Sequence, residues 1–274
     1  MSNIEQLPYV IELLDDSSPA IRDAVLKELS SYGSDLSCVL DQMVSPPDSL
    51  VRQKIQDLLA GYTPSDQQKI WLGWLNEKCE YQQLEKAMIF LSEYQNGFQK
   101  KYDISIILSH ISDDFLSECN DVNLFELAHY LFQSDRMKGV SEDYYNPQNS
   151  DLGYALTEQK GLPVTLAIIL MLVGYRVGVE IHGLNVPGHF VASGMWKNKS
   201  YVIDCYNEGE IISEDSFINV HSSGSVKANS MRFKANTNVI VSRVLKNISI
   251  AYEKTGDTSR SRQAVDFLKE LCQR

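Results

Sequence analysis

At 274 residues and 43% hydrophobic content, the chain can bury at least one substantial core, and its length fits one or two domains with helical additions. A formal net charge of -11 and a pI near 4.9 set its summed field against nucleic acid and anionic membrane surfaces, so neither is expected as a partner. Five cysteines, Cys38, Cys79, Cys119, Cys205 and Cys272, lie far apart without a CxxC pair, so neither a zinc cluster nor a disulfide framework is suggested, and a reducing cytoplasm is the natural reading.

The opening residues MSNIEQLPYV lack the basic start and apolar stretch of a signal peptide. The first third reads helical throughout, with one weak internal echo: Ala20-Ile21-Arg22 and Leu50-Val51-Arg52 each precede a helical run ending in tyrosine, Tyr32 and Tyr62. Pro19, Pro46 and Pro47 fall at or just before helix starts, and Gly33 and Gly61 fall where C-terminal caps belong. This pattern resembles a short HEAT-like repeat array over residues 1–78, which would either present a protein-binding surface or cover the main domain. Trp71, Trp74 and Leu75 stand at helical spacing and are expected in the core.

Apolar spacing predicts helices over residues 84–94 and 124–132, with the acidic, polar residues 113–123 as a loop or short turn between them. Residues 139–161 are rich in Gly, Asn, Ser and Pro and read as a loop; residues 162–173 then form the longest apolar run, too short to cross a bilayer and expected as a buried helix. Strand patterns follow over residues 179–184, 190–194 and 201–204. Residues 238–274 return to helical periodicity as two helices broken at Thr255-Gly256-Asp257.

Three segments of the central region carry the functional reading: Gly161-Leu162-Pro163-Val164-Thr165-Leu166-Ala167, Pro187-Gly188-His189-Phe190 and Tyr201-Val202-Ile203-Asp204. The order helix start, His strand, Asp strand resembles the transglutaminase-like domains of the papain superfamily, whose Gly-x-Cys helix start supplies the nucleophile. The likeness extends to the SirB-type transglutaminase-like proteins with a tetratricopeptide tail through Tyr145-Asn146-Pro147-Gln148-Asn149-Ser150, Lys160-Gly161-Leu162-Pro163 and residues 183–190. It covers roughly residues 80–274 and implies an α+β papain-like core over 79–236, a buried central helix on an antiparallel sheet, with a tetratricopeptide-like hairpin over 237–274. Two departures stand out: the subfamily's Asp-Pro-Phe reads Asp204-Cys205-Tyr206, and its Arg before the Gly-x-Pro reads Lys160.

The resemblance puts Pro163 at the nucleophile position, with His189 and Asp204 as the remainder of a triad. A thiol at a helix start would gain thiolate character from the dipole and a neighbouring imidazolium; proline offers no such atom and is fully explained by helix initiation. Thr165 lies about 200° around the helix from Pro163, which turns its hydroxyl away from His189. Cys205 follows Asp204 in a strand and should point to the opposite face. The turn residues Asn146, Asn149 and Ser150, with Gly161, Thr165, Asn185 and Gly188, are candidates to line a pocket for a carboxylate or peptide carbonyl, although turns need the same residue types for their own geometry. The five histidines show no metal-ligand spacing, His110 and His182 stand singly, and neither metal nor cofactor is expected.

The resulting expectation is a non-catalytic protein- or peptide-binding module. Its rivals are a hydrolase or acyltransferase working through His189 and Asp204, and a thiol enzyme in which Cys205 or Cys119 reaches the cleft.

Overall fold

A computed structural model of the chain describes residues 6–16, 18–32, 36–60, 71–96, 100–134, 136–221 and 234–273. Two compact units are formed, Met1–Tyr102 with Lys269–Arg274, and Asp103–Leu268.

The first unit holds helices α1 (Leu7–Glu12), α2 (Pro19–Ser31), α3 (Leu36–Asp41), α4 (Ser49–Ala60) and α5 (Glu80–Gln95). Pro19 opens α2, and Asp48 caps α4 by accepting from the Val51 N–H at 2.9 Å. Gly33 and Gly61, expected as caps, lie outside the described residues. Trp71 and Trp74 are fully buried with rings 6.1 Å apart, Trp71 also packs on Phe90, and Leu75 is partly buried. Arg52 is buried and satisfied by Asp41 Oδ1 at 2.6 Å and the Pro47 carbonyl, the pairing a buried guanidinium requires.

The second unit is built around α9 (Pro163–Val177), in which every residue from Val164 to Gly174 is buried. Apolar on all sides, it is shielded by α6 (Ile104–Glu118), α8 (Leu152–Glu158) and a four-stranded antiparallel sheet, β3 (Ile181–Val186), β4 (His189–Trp196), β5 (Lys199–Asp204) and β6 (Glu210–Ser213), in sequential order. Gly174 permits the close approach of α9 to β3, since a Cβ there would meet the Val179 carbonyl at 2.7 Å and Ile181 at 2.9 Å. Helix α7 (Leu124–Ala128) runs on into a π-helical turn, His129–Gln133, and lays Phe125 against Trp196 and Tyr201. The opposite sheet face packs Leu184, Val186, Val191 and Val202 under Phe217 and Ile218 of α10 (Glu214–His221). A short parallel pair, β1 (Lys138–Gly139) with β2 (Lys160–Gly161), precedes α9, and α11 (Thr237–Thr255) and α12 (Thr258–Cys272) follow the sheet. Among the described residues no helix is long and apolar enough to cross a membrane.

Two segments differ from the sequence reading. Residues 113–118 continue α6 instead of forming a loop: Phe115 is the one buried residue among them, and the exposed Asp113, Asp114, Ser117 and Glu118 around it hide the periodicity. The stretch 139–161 contains a 3-10 turn, Pro147–Ser150, and α8, started by Asp151 Oδ1 accepting from Gly153 N–H at 2.9 Å.

Candidate functional site

The register of the sheet brings His189 and Asp204 together. Ala192 pairs with Ile203, so Val191 faces Asp204 and His189 lies two residues along the same face, a diagonal neighbour. The turn Pro187-Gly188 delivers His189 to the start of β4, with Gly188 at φ 78 as the second corner of a type II turn allows. Across this diagonal His189 Nε2 lies 2.9 Å from Asp204 Oδ2, and each side chain keeps close to a third of its surface exposed. An ionised carboxylate only accepts, so Nε2 carries the proton and Nδ1 is the nitrogen left to act as a base.

Asp204 is itself held from behind. Its Oδ1 accepts from the backbone N–H of Tyr206 at 3.1 Å and of Asn207 at 3.2 Å, and its carbonyl accepts from Asn207 and Gly209. Burial alone would push the Asp204 carboxyl up, but the bond to His189, the His189 charge and those two N–H groups outweigh it and hold the carboxyl below its ordinary value. Orientation and charge are thus those of a carboxylate that fixes an imidazole.

Pro163 occupies the first turn of α9 after Leu162, extended at φ -73 and ψ 162. Two hydrogen bonds and one ring approach connect Gly161, just ahead of this helix start, with the histidine. Val140 N–H donates to the Gly161 carbonyl at 3.2 Å, the Tyr206 hydroxyl donates to the Val140 carbonyl, and the Tyr206 ring meets His189 edge-on with centroids 6.5 Å apart. Gly139 completes the contact: a Cβ there would lie 2.8 Å from two Tyr206 ring atoms and from the Tyr206 carbonyl oxygen. Tyr206 also lines a cavity of about 480 Å³ with Phe132, Gln133, Lys138, Gly139 and Glu208.

No cysteine thiol bonds His189 among the described residues. Cys205 is buried, its Sγ 3.9 Å from the Ile203 carbonyl, as strand alternation requires; burial first, then the Asp204 charge, pushes its thiol far above the ordinary range. Burial also pushes up the Cys119 thiol, aided by Glu126 and Glu118 against the opposing pull of Arg136. Both environments oppose thiolate formation, the reverse of what a nucleophile needs.

The pocket candidates separate. Asn149 and Thr165 meet, the buried Thr165 hydroxyl donating to the Asn149 carbonyl at 3.1 Å, and Gly161 packs beside them, where a Cβ would touch Thr165 at 3.3 Å. Asn146 caps the 3-10 turn by accepting from Gln148 N–H, and the buried Asn149 amide donates to the carbonyls of Asp143 and Tyr144. Ser150 is buried and no described residue bonds its hydroxyl. Asn185 is exposed and accepts from Arg243 of α11 at 3.4 Å, while Gly188 sits in the exposed hairpin turn. His182 contacts Lys234 and Glu180. Among the described residues no group of His, Cys, Asp and Glu is arranged to hold a metal ion.

Sequence reasoning missed Gly139, Val140 and Tyr206. The signal available was Tyr206 itself, two residues after Asp204, whose hydroxyl reaches the Val140 carbonyl.

The chain is similar to a UPF0162 protein of Xylella fastidiosa (strain 9a5c), 26% identical over 196 residues that span 67% of this chain and 69% of that protein. A UPF0162 protein of Vibrio cholerae is 28% identical over 84 residues, 31% of each chain. F-box only protein 21 of Mus musculus is 30% identical over 65 residues, 24% of this chain and 10% of that one. No solved structure matches the chain. The family model described as the Transglutaminase-like superfamily matches residues 100–246, which include α9, the sheet and the His189–Asp204 pair, and the chain therefore belongs to the transglutaminase-like superfamily.

Proposed function

We propose that this protein is a non-catalytic member of its superfamily, a SirB-type binding or regulatory module in which 79–236 is the transglutaminase-like core, 1–78 a HEAT-like region and 237–274 a tetratricopeptide-like hairpin. The observation that carries the reading is the start of α9: Pro163 stands where a thiol would need the helix dipole, and burial pushes both thiols of the second unit considered as substitutes, Cys119 and Cys205, up in pKa. His189 and Asp204 then serve as a polar anchor at the mouth of a cleft, with a protein or peptide as partner, in the cytoplasm and without cofactor or metal.

The purified protein should show no turnover of amide or ester substrates above the residual rate that positioning alone sustains. One observation favours a second reading. The ordered His189–Asp204 pair, with Asp204 held ionised, is what a hydrolase or acyltransferase activating water would use. Turnover that disappears in His189→Ala would establish that reading in place of the first.

A further inference from the structure

Two tyrosines are held out to solvent by a turn that is otherwise fully tied down. Tyr144 and Tyr145 are 45% and 49% exposed. The turn beneath them is rigid. Asp143 adopts φ 51, and its side chain accepts from the Asn146 amide at 3.0 Å. The buried Asn149 amide holds the carbonyls of Asp143 and Tyr144 at 2.8 and 3.2 Å, and Asn146 N–H closes the turn on the Asp143 carbonyl. A left-handed aspartate persists only where its surroundings over-determine it, and here they orient two rings.

The rings meet at 79° with centroids 5.5 Å apart, so they form the two walls of a corner. One of the two rings already holds a cation, Lys254 of α11 lying over Tyr145 with Nζ 5.8 Å from its centroid. Exposed carboxylates of Glu142 and Asp143 precede the two rings in the chain, and the whole chain carries a net charge of -11. The corner follows Val140 by four residues, the Val140 carbonyl accepts from the Tyr206 hydroxyl, and the Tyr206 ring stands edge-on to His189 with centroids 6.5 Å apart.

We propose that the Tyr144–Tyr145 corner is the docking point for a lysine- or arginine-bearing segment of a partner protein, its cation seated against the rings and its backbone leading toward Tyr206 and His189. The proposal rests on the binding-module reading and names the chemistry of its partner. The exposed carboxylates of Glu142 and Asp143 and the net charge of -11 draw the basic segment, and the ring faces, which carry the negative end of the quadrupole, hold its cation. Lys254 acts as the resident competitor for the Tyr145 ring until the partner arrives.

The test uses the full chain and a fluorescein-labelled peptide of alternating Lys and Gly, with Glu-Gly and Ser-Gly peptides as controls, followed by fluorescence anisotropy. The Lys-Gly peptide should bind and both controls should not. The double variant Tyr144→Ala, Tyr145→Ala, with unchanged circular dichroism, should weaken binding about tenfold, as the loss of two exposed cation–π contacts implies. The Tyr→Phe pair should retain most of the affinity, since it keeps the rings and also guards against loss of fold. Lys254→Ala should tighten binding more than Lys246→Ala, which changes net charge equally but lies elsewhere on α11. Equal binding by the wild type and the Ala variant would mean attraction by net charge alone and would overturn the proposal, as would absence of binding. Either failure leaves the non-catalytic reading intact, whereas turnover by the native protein would remove that reading without touching the corner.

Discussion

Gly139→Ala probes the link between the start of α9 and the His189 site. The new Cβ would lie 2.8 Å from Cδ2 and Cε2 of Tyr206 and from the Tyr206 carbonyl oxygen. A ring can tilt, but a backbone oxygen has no rotamer to retreat into, so β1 or the residues after β5 must shift. Overpacking of this kind costs about 1–3 kcal/mol, loss of the bond from Tyr206 to Val140 adds about 1 kcal/mol, and restricting the unfolded chain returns about 0.4–1 kcal/mol. The net is a local loss of about 1–4 kcal/mol. Native-state hydrogen exchange at the Lys138 and Val140 amides, bonded to the Gln159 and Gly161 carbonyls at 2.9 and 3.2 Å, reads this opening directly. Exchange there should accelerate about 10- to 100-fold. In a Tyr206→Ala background the same substitution should cost less but not nothing, because the carbonyl contact stays. Unchanged exchange at both amides would show that Tyr206 does not clamp β1 and would break the link from Pro163 to His189.

Asp204 gives a pH dependence with a fixed sign. Its folded pKa lies below the unfolded value of about 3.9. The stability it contributes is therefore full above that value and is lost as pH falls through the folded one. The stability gap between the wild type and Asp204→Asn, measured by urea unfolding, should be constant near neutrality and shrink as pH drops below about 4; a gap that widens on acidification would mean the carboxyl is raised. Cys205, buried and with its thiol pushed up, should be silent to Ellman's reagent in the native state and react only on unfolding, which a Cys205→Ser comparison under native conditions would check.

The architecture of the second unit was legible because its central elements carry strong patterns. The run of residues 162–173 is apolar on every side, so burial was its only stable outcome, and α9 extends it to Val177 before the left-handed Gly178. The strands appeared within two residues at each end of their expected spans, since alternation marks the middle of a strand better than its ends. The His189–Asp204 diagonal followed from segment order. Two features escaped: residues 113–118 of α6, where Phe115 is the one buried residue, and the contact of Tyr206 with Gly139 and Val140, two segments that no local pattern relates. The engagement of Asn185 by Arg243 is likewise a long-range contact that its position near the histidine in sequence does not announce.

The absence of a nucleophile at position 163 is tested most directly by supplying one. In Pro163→Cys the thiol would sit in the first turn of α9, at the positive end of the helix, and if the cleft is otherwise intact it would face a histidine already oriented by Asp204. The rate at which iodoacetamide alkylates this introduced thiol, followed against pH by mass spectrometry, should exceed that of an ordinary protein thiol, with a midpoint below about 8.5, and should fall toward the ordinary rate when His189→Ala is added. Alkylation no faster than an unperturbed thiol, or a rate indifferent to His189, would show that Pro163 and His189 do not share a latent catalytic cleft.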